Sequence, residues 1–338
     1  MNSRNELYDE FVGLSPQGTL FCTSWWLEAV APGCHRIITV EKGGETYAAW
    51  PIVLRRSRMG GQVIITNPPL TPWLGILYRG LDHGPTRSSK TARQLAMMKE
   101  LALDLVQQLP KFDAVDVSFH RNFDYWSPLY WRGFRQTTRY TYVADDLSDL
   151  DALWARFEQN ARHAIRRAQR EGITVDCTEN IREFWRINAM SFDRQAMAVP
   201  YSFDLVRRVD DACKARSKRK IFVARDKAGE IHAAGYIVWD SKSAYYLMAS
   251  ADPHGRSSGA QSLVTWEAIR FASAVTRAFD FEGSMIESVE QFLRAFGGSP
   301  FPYFRISKVN SPLWFAYQTV RDLASLTLDG ISRVSSKR

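Results

Sequence analysis

Two hydrophobic periods alternate along this chain. Short apolar runs closed by turn residues predict strands, and apolar residues three or four apart predict helices. Thr23-Ser24 ahead of Trp25, Trp26 and Leu27 predict a short capped helix to Val30. Residues 37–40 and 47–54 predict two strands joined at Lys42-Gly43-Gly44, and 61–66 a third. Asn67-Pro68-Pro69 and Thr71-Pro72 interrupt the pattern. Leu95, Met98, Leu101 and Leu105 place a helix over 91–108, and a strand follows over 112–119. Leu150, Leu153, Phe157, Ala161, Ile165 and Ala168 predict one helix over 147–172, ended by Gly172. Further helices are expected over 181–190 and 201–215.

Residues 244–249 read as a buried strand stopped at Asp252-Pro253, and 261–277 as a helix through Val264, Ala268, Phe271 and Val275. Phe279-Asp280-Phe281 opens another strand, closed by Gly283. Residues 292–303 read as a shaped loop after a short helix, 313–331 as a last amphipathic helix, and 1–20 as a loose lead-in.

An internal repeat organises these elements. Gly44-Glu45-x-x-Ala48-Ala49-x-x-Ile52-Val53 matches Gly229-Glu230-x-x-Ala233-Ala234-x-x-Ile237-Val238, each copy preceded by an apolar strand. His83-Gly84 with Arg87-Ser88-Ser89 echoes His254-Gly255-Arg256-Ser257-Ser258, and a helix follows each. Phe112-Asp113 echoes Phe279-Asp280. Three matches in one order predict a duplicated α/β unit of hairpin, loop, helix and strand. Ala48 and Ala233 should then occupy equivalent strands.

Three stretches carry candidate chemistry. The loop Arg256-Ser257-Ser258-Gly259 stands where a helix begins. Unpaired N–H groups, the positive end of the dipole and one guanidinium suit a phosphate or pyrophosphate there. A Ser-capped helix start with a surface arginine is the alternative. A bulky residue at Gly259 is expected to block donor entry and leave folding intact. Arg162, Arg166 and Arg170, four apart and flanked by His163 and Arg167, form a basic row. It reads either as a phosphate grip, with Arg162 and Arg166 facing a groove shared by the two halves, or as a solvated face. Asp280 and Glu282, two apart along a strand, are expected on one face as a base or as an orienting acid for an amine. Tyr246, with Tyr245, offers a phenol to protonate a leaving group.

Bulk properties narrow the partners. With 338 residues, 45% hydrophobic and 24% charged, the chain suits two ordinary domains. A net charge of +8 favours an anionic partner. Cys22, Cys34, Cys177 and Cys213 form no CxxC pair and have no His cluster beside them, so no metal site or disulfide framework is expected. No signal peptide and no membrane-length apolar run is read, and a cytoplasmic protein is expected.

The basic stretch N-A-R-H-A-I-R-R-A-Q-R-E-G, the unit A-S-A-D-P-H-G-R-S-S-G-A-Q-S-L-V-T-W-E-A-I, the strand F-D-F-E-G-S and the closing F-L-R-A-F-G-G-x-x-x-x-Y together resemble the FemAB-like (BioF2-like) branch of the GNAT acyltransferases. The likeness is strongest over 140–310. It implies an α/β fold of the α+β type: two GNAT-like domains, each a mixed sheet flanked by helices and related by duplication. The expected division is a lead-in over 1–20, domains over 21–140 and 141–310, and a C-terminal helix over 311–338.

The resemblance also implies transfer of an acyl or aminoacyl group to an amine of a cell-envelope precursor, glycan or small metabolite. The donor would be acyl-CoA or aminoacyl-tRNA, with no metal. Arg256, Ser257, Ser258 and Gly259 match the first half of a Q/R-x-x-G-x-G/A pyrophosphate loop, and Gln261 departs from it. Asp280, Glu282 and Tyr246 take the catalytic positions; Arg162, Arg166, Phe296 and Tyr303 take the acceptor or phosphate side. A non-catalytic module holding tRNA or an anionic glycan precursor, and an acetyl-CoA-dependent acetyltransferase of a small amine, are the competing readings. Peripheral membrane contact fits the basic charge; a double-stranded DNA partner is not expected.

Overall fold

The computed structural model describes residues 3–57, 60–80, 90–193, 198–251, 258–316 and 319. In chain order the first part holds α1 (Ser3–Leu14), α2 (Ser24–Val30), β1 (His35–Lys42), β2 (Glu45–Arg56), β3 (Val63–Thr66), β4 (Leu77–Tyr78), α3 (Ala92–Gln107), β5 (Ala114–Ser118), α4 (Ser127–Tyr130) and β6 (Arg135–Ala144). The second holds α5 (Leu150–Arg156), α6 (Gln159–Arg170), β7 (Thr174–Thr178), α7 (Ile181–Asp193), α8 (Phe203–Lys214), β8 (Arg219–Arg225), β9 (Ile231–Trp239), β10 (Ala244–Ala251), α9 (Ala260–Ala272), β11 (Phe279–Asp280), α10 (Glu287–Arg294) and β12 (Ser299–Val309).

The repeat is structural down to its irregularities. Its two copies form β2 and β9, the second strands of the β1–β2 and β8–β9 hairpins. Ala48 pairs with Val40 and Ala233 with Ala224, and in both hairpins the register slips immediately afterwards. The unpaired residues are Tyr47 and His232, the same position of the motif. A bulge repeated at one motif position is a built feature of a duplicated strand pair. Each half then continues alike. β3 and β5 lie parallel across α3, and β10 and β11 lie parallel across α9. The Phe-Asp echo is looser: Asp113 precedes β5 and accepts the Val63 amide, whereas Asp280 lies within β11. The Arg-Ser-Ser echo lies largely outside the described residues.

All strands join one twelve-stranded sheet, ordered β1-β2-β3-β5-β12-β6-β11-β10-β9-β8-β7, with β4 beside β2. Its centre is an exchange. β6, the last strand of the first half, pairs with β11 of the second; β12, the last of the second, pairs with β5 of the first. β6 and β12 pair with each other over nine residue pairs, Ser299↔Val143 through Ser307↔Arg135. The boundary expected at 140/141 falls inside β6.

Two cores cover the sheet. On one face Trp26, Trp50 and Trp73 of the first half and Val209, Tyr236 and Tyr245 of the second share a single cluster. On the other, α5, α6, α9 and α10 close over Phe157, Ile165, Tyr246, Val264, Phe281 and Phe296. The first core joins both halves, so one half cannot shed the other without exposing it.

Four expectations need correction. Residues 3–14 are helical rather than loose. Tyr8, Phe11 and Val12 are buried, and Lys242 Nζ donates to Ser15 O (2.5 Å) and Gly18 O (2.8 Å), holding the end of α1. The single helix over 147–172 is two helices. Phe157 and Glu158 take extended backbone because Phe157 inserts among Trp154, Trp266 and Phe296, while the Glu158 amide bonds Ala295 O. Residues 299–309 are a long strand, not a loop; Pro300 and Pro302 stand in it opposite Tyr142 and Tyr140. The helix over 261–277 ends at Ala272. Of the last amphipathic helix, most lies outside the described residues.

Candidate active site

β10 and β11 are neighbours for two residue pairs only, Ala244↔Phe279 and Tyr245↔Asp280. Beyond them β10 runs on to Ala251 with β9 as its strand neighbour among the described residues, while the chain after β11 turns to β6, where the Phe281 amide bonds Tyr142 O. The sheet therefore opens beside the end of β11, and the polar residues gather at that opening.

Asp280 is fully buried. Its Oδ2 accepts from Arg121 Nη1 at 2.7 Å; its Oδ1 accepts from Thr141 Oγ1 at 2.5 Å and from the Glu282 amide at 2.9 Å. Burial pushes its pKa up, against the nearby Arg121 charge and these hydrogen bonds. Glu282 differs in every respect. β11 has already ended, and Glu282 sits at φ +60°, a left-handed conformation costly for a residue with a side chain. The period-two argument that paired it with Asp280 thus does not apply; the backbone bond to Asp280 brings the two together. Glu282 Oε1 is shielded from water and has no hydrogen-bond partner among the described residues. Burial, and then the negative charge of Asp280, hold its carboxyl well above the usual carboxylate range.

Two phenols flank it. Burial pushes Tyr201 up to about 12, against its hydrogen bond to Asn188 and with the Glu282 charge adding to the rise. Its hydroxyl donates to Asn188 Oδ1 (3.2 Å), whose Nδ2 donates to Ser250 Oγ on β10 (2.8 Å). Tyr303 of β12 is raised by burial, lowered by Arg139 directly across the strand pair, and raised again by Glu282 and Asp280. Trp73 packs edge-on to Tyr303 at 6.3 Å and lies 5.7 Å from Tyr245, so first-half residues form part of the site's wall.

The structure brings Asp280, Glu282 and Tyr303 together. It separates Tyr246, which lies in the core on the α9 face, whereas Tyr245 belongs to the core on the other. Tyr246 Oη accepts from Gln261 Nε2 (2.6 Å) and Thr265 Oγ1 (3.2 Å), and burial drives its pKa far up. Phe296 is buried among Phe157, Phe281 and Phe292, a core residue with no surface for an acceptor. Arg121, Thr141, Tyr201 and Asn188 were missed. Arg121 stands in a polar S-F-H-R-N-F-D-Y-W loop, and only the fold reveals its partner.

Of the stretch 256–259, Arg256 and Ser257 lie outside the described residues. Ser258 Oγ accepts the Ala260 amide (3.2 Å), and Gly259 (φ +78°) caps α9. A Cβ on Gly259 would stand 2.1 Å from Ala164 O and 2.8 Å from Ala164 C, both backbone atoms of α6. This glycine is therefore a helix-contact residue, and a bulky replacement strikes the fold before it reaches any donor.

The same contact carries the basic helix to the start of α9. Asn160, His163, Ala164, Arg166, Arg167 and Arg170 line an open concavity of about 900 Å3. It is formed on α6, not between the halves. Arg162 donates to Ala155 O (3.0 Å), and Arg166 lies over the Trp154 ring at 5.9 Å. Glu158 is held by Arg294 at 3.1 Å. Arg167 and Arg170 remain exposed on the open face.

Among the described residues no group of three His, Cys, Asp or Glu side chains could hold a metal ion, and no helix is long and apolar enough to cross a membrane.

Residues 155–285 match the acetyltransferase (GNAT) domain family, a span that includes α6, α9, Asp280 and Glu282. None of the curated proteins matches the chain. Among solved structures, FemX aligns at TM-score 0.69 and 14% identity, covering 89% of this chain and 95% of FemX. A tandem GNAT protein from the clavulanic acid biosynthesis pathway aligns at 0.53 and 10%, covering 92% and 96%. L-PGS from Bacillus licheniformis aligns at 0.53 and 11%, covering 93% and 94%. Residues 155–285 thus match a GNAT domain, and the chain as a whole shares its fold with FemX and the tandem GNAT protein.

Proposed function

We propose that the chain is an N-acyltransferase whose reaction centre lies at the opening beside β11, with Glu282 as general base. The observation that carries this reading is the Glu282 carboxyl: one oxygen without a partner among the described residues, the backbone left-handed, the pKa raised by burial. Strain and an unsatisfied acid mark functional sites. A carboxylate of raised basicity is matched to removing a proton from an ammonium near neutral pH.

In the step, the acceptor ammonium gives a proton to the Glu282 carboxylate. The freed nitrogen lone pair attacks the donor carbonyl carbon. The new C–N bond forms as the bond to the donor sulfur or oxygen breaks; the nitrogen's second proton passes to the departing atom, and the proton held by Glu282 is released to solvent. Asp280, both oxygens committed, orients rather than exchanges protons. Tyr303 and Tyr201 bound the acceptor side.

The donor is a phosphate-bearing acyl or aminoacyl compound, acyl-CoA or aminoacyl-tRNA. Its support is the start of α9, the loop 256–259 and the basic row of α6, which join at Gly259 and Ala164. In this reading residues 21–140 wall the site and 141–310 carry the donor. The acceptor is an amine of a cell-envelope precursor, glycan or small metabolite, a class that the FemX and L-PGS folds favour.

The test is E282Q, assayed with acetyl-CoA and with aminoacyl-tRNA against a panel of amines. Turnover falls roughly 100- to 10,000-fold, the usual worth of a positioned base. Affinity for coenzyme A or tRNA, measured by calorimetry, is unchanged. Full turnover in E282Q removes the base; saturable binding without turnover in the wild type makes the chain a binding module.

A further inference from the structure

Arg121 follows β5 in the first half of the chain, yet its guanidinium is packed against a carboxylate of the second. Its side chain is 13% exposed and that of Asp280 0%, and the pair is 2.7 Å apart. The Phe301 ring lies beneath Arg121 at 5.3 Å. A buried ion pair is a poor way to gain stability, because desolvation cancels most of the attraction. Apolar residues of similar volume would hold the halves together as well. What the pair does can be traced atom by atom. Arg121 fixes one oxygen of Asp280, and Thr141 of β6 fixes the other. That second oxygen also takes the Glu282 amide at 2.9 Å, where the backbone turns left-handed. The aim of the Glu282 side chain follows from that turn.

We propose that Arg121 and Asp280 are a positioning pair for Glu282, so that the first half of the chain completes the reaction centre of the second. The inference rests on the reading of Glu282 as the base and deepens it. It gives the exchange of β6 and β12 a consequence. β6 brings Thr141 to Asp280, and docking of the first half brings Arg121. An isolated second half would keep Glu282 in sequence but lose Arg121 and Thr141, the two side chains that hold Asp280.

The pair also sets the charge that Glu282 feels. Among the described residues, the ionisable groups facing it are Asp280 on β11, Tyr303 on β12 with Arg139 of β6 behind it, and Tyr201 ahead of α8; Arg121 stands behind Asp280. Asp280 is the anion among them closest in effect.

The experiment is a carbon-13 titration of full-length protein labelled at the glutamate carboxyls, with the Glu282 signal assigned by its loss in E282Q. In the wild type the signal titrates above the ordinary glutamate range. D280N keeps an oxygen for the Glu282 amide but removes the neighbouring negative charge, so the midpoint falls by about one pH unit or more. Should D280N fail to fold, R121M/D280N removes both charges of the pair and carries the same expectation. A Glu282 midpoint that stays at its wild-type value in whichever variant folds overturns the proposal. A purely structural pair would lower the melting temperature and leave that midpoint in place. The titration does not need turnover, so it succeeds or fails separately from the E282Q assay of the base.

Discussion

Gly259→Ala isolates the contact that places the basic helix at the start of α9. Two costs follow from the geometry. At φ +78° a residue with a Cβ is strained by roughly 1–2 kcal/mol. The added carbon would stand 2.1 Å from Ala164 O and 2.8 Å from Ala164 C, and backbone atoms cannot swing aside. α6 must shift, an overpacking cost of about 1–3 kcal/mol. The sum is about 2–5 kcal/mol. Gly229→Ala is the control: its φ is +85°, with nothing among the described residues within 4 Å of the added carbon, so only the backbone cost of roughly 1–2 kcal/mol applies. Urea unfolding of the three proteins at one pH, read from midpoints at constant slope, gives the difference. Melting temperatures give a second measure, at roughly 2–4 °C per kcal/mol for a domain-sized unit. Equal losses in the two variants would refute the claim that Gly259 is held against α6. A loss in Gly259→Ala beyond that of the control, with weaker tRNA or coenzyme A binding, shows that one contact serves both packing and the donor face.

Glu282 also makes stability depend on pH. Its folded pKa lies above its unfolded value, so across that interval the folded state holds more protons and stability falls as pH rises. E282Q, which cannot ionise, is therefore more stable than the wild type at neutral pH, and the gap closes as pH drops below the ordinary glutamate range; a gap independent of pH in paired thermal melts contradicts the burial of this carboxyl. Lys242 supplies a test of the N-terminal contact. K242M loses the ammonium bonds to Ser15 O and Gly18 O, at roughly 2–4 kcal/mol for charged hydrogen bonds after partial compensation, and limited proteolysis then cuts after α1. Unchanged cleavage rates would show that Tyr8, Phe11 and Val12 hold the helix without it.

Local pattern settled the elements whose signal lies within a single segment. Residues 47–54 and 231–239 are apolar enough on both faces to be central strands, and their shared motif showed the duplication because the bulge at Tyr47 and His232 is a local feature of each hairpin. The helix over 91–108 was legible down to its start, where Thr91 and Gln94 form a reciprocal cap. The tandem architecture was legible for the same reason; the juxtaposition of Asp280 and Glu282 was not, because β11 ends at Asp280 and a backbone bond brings Glu282 to it.

What only the tertiary structure decided lies at the centre of the sheet. β6 and β12 carry arginine, threonine, serine and proline, so neither shows a strand's alternation; they are strands because each completes the other half's sheet. The break at Phe157-Glu158 is invisible in the stripe, since the phenylalanine keeps helical spacing while its ring is claimed by Trp154, Trp266 and Phe296. Tyr246 and Tyr245 are adjacent letters on opposite faces, and only the packing of α9 assigns each its side. Arg121 and Asp280 stand 159 residues apart in sequence and 2.7 Å apart in space. Periodicity reports a residue's own segment; an ion pair across an exchanged-strand sheet depends on two segments at once, and the fold alone brings them together.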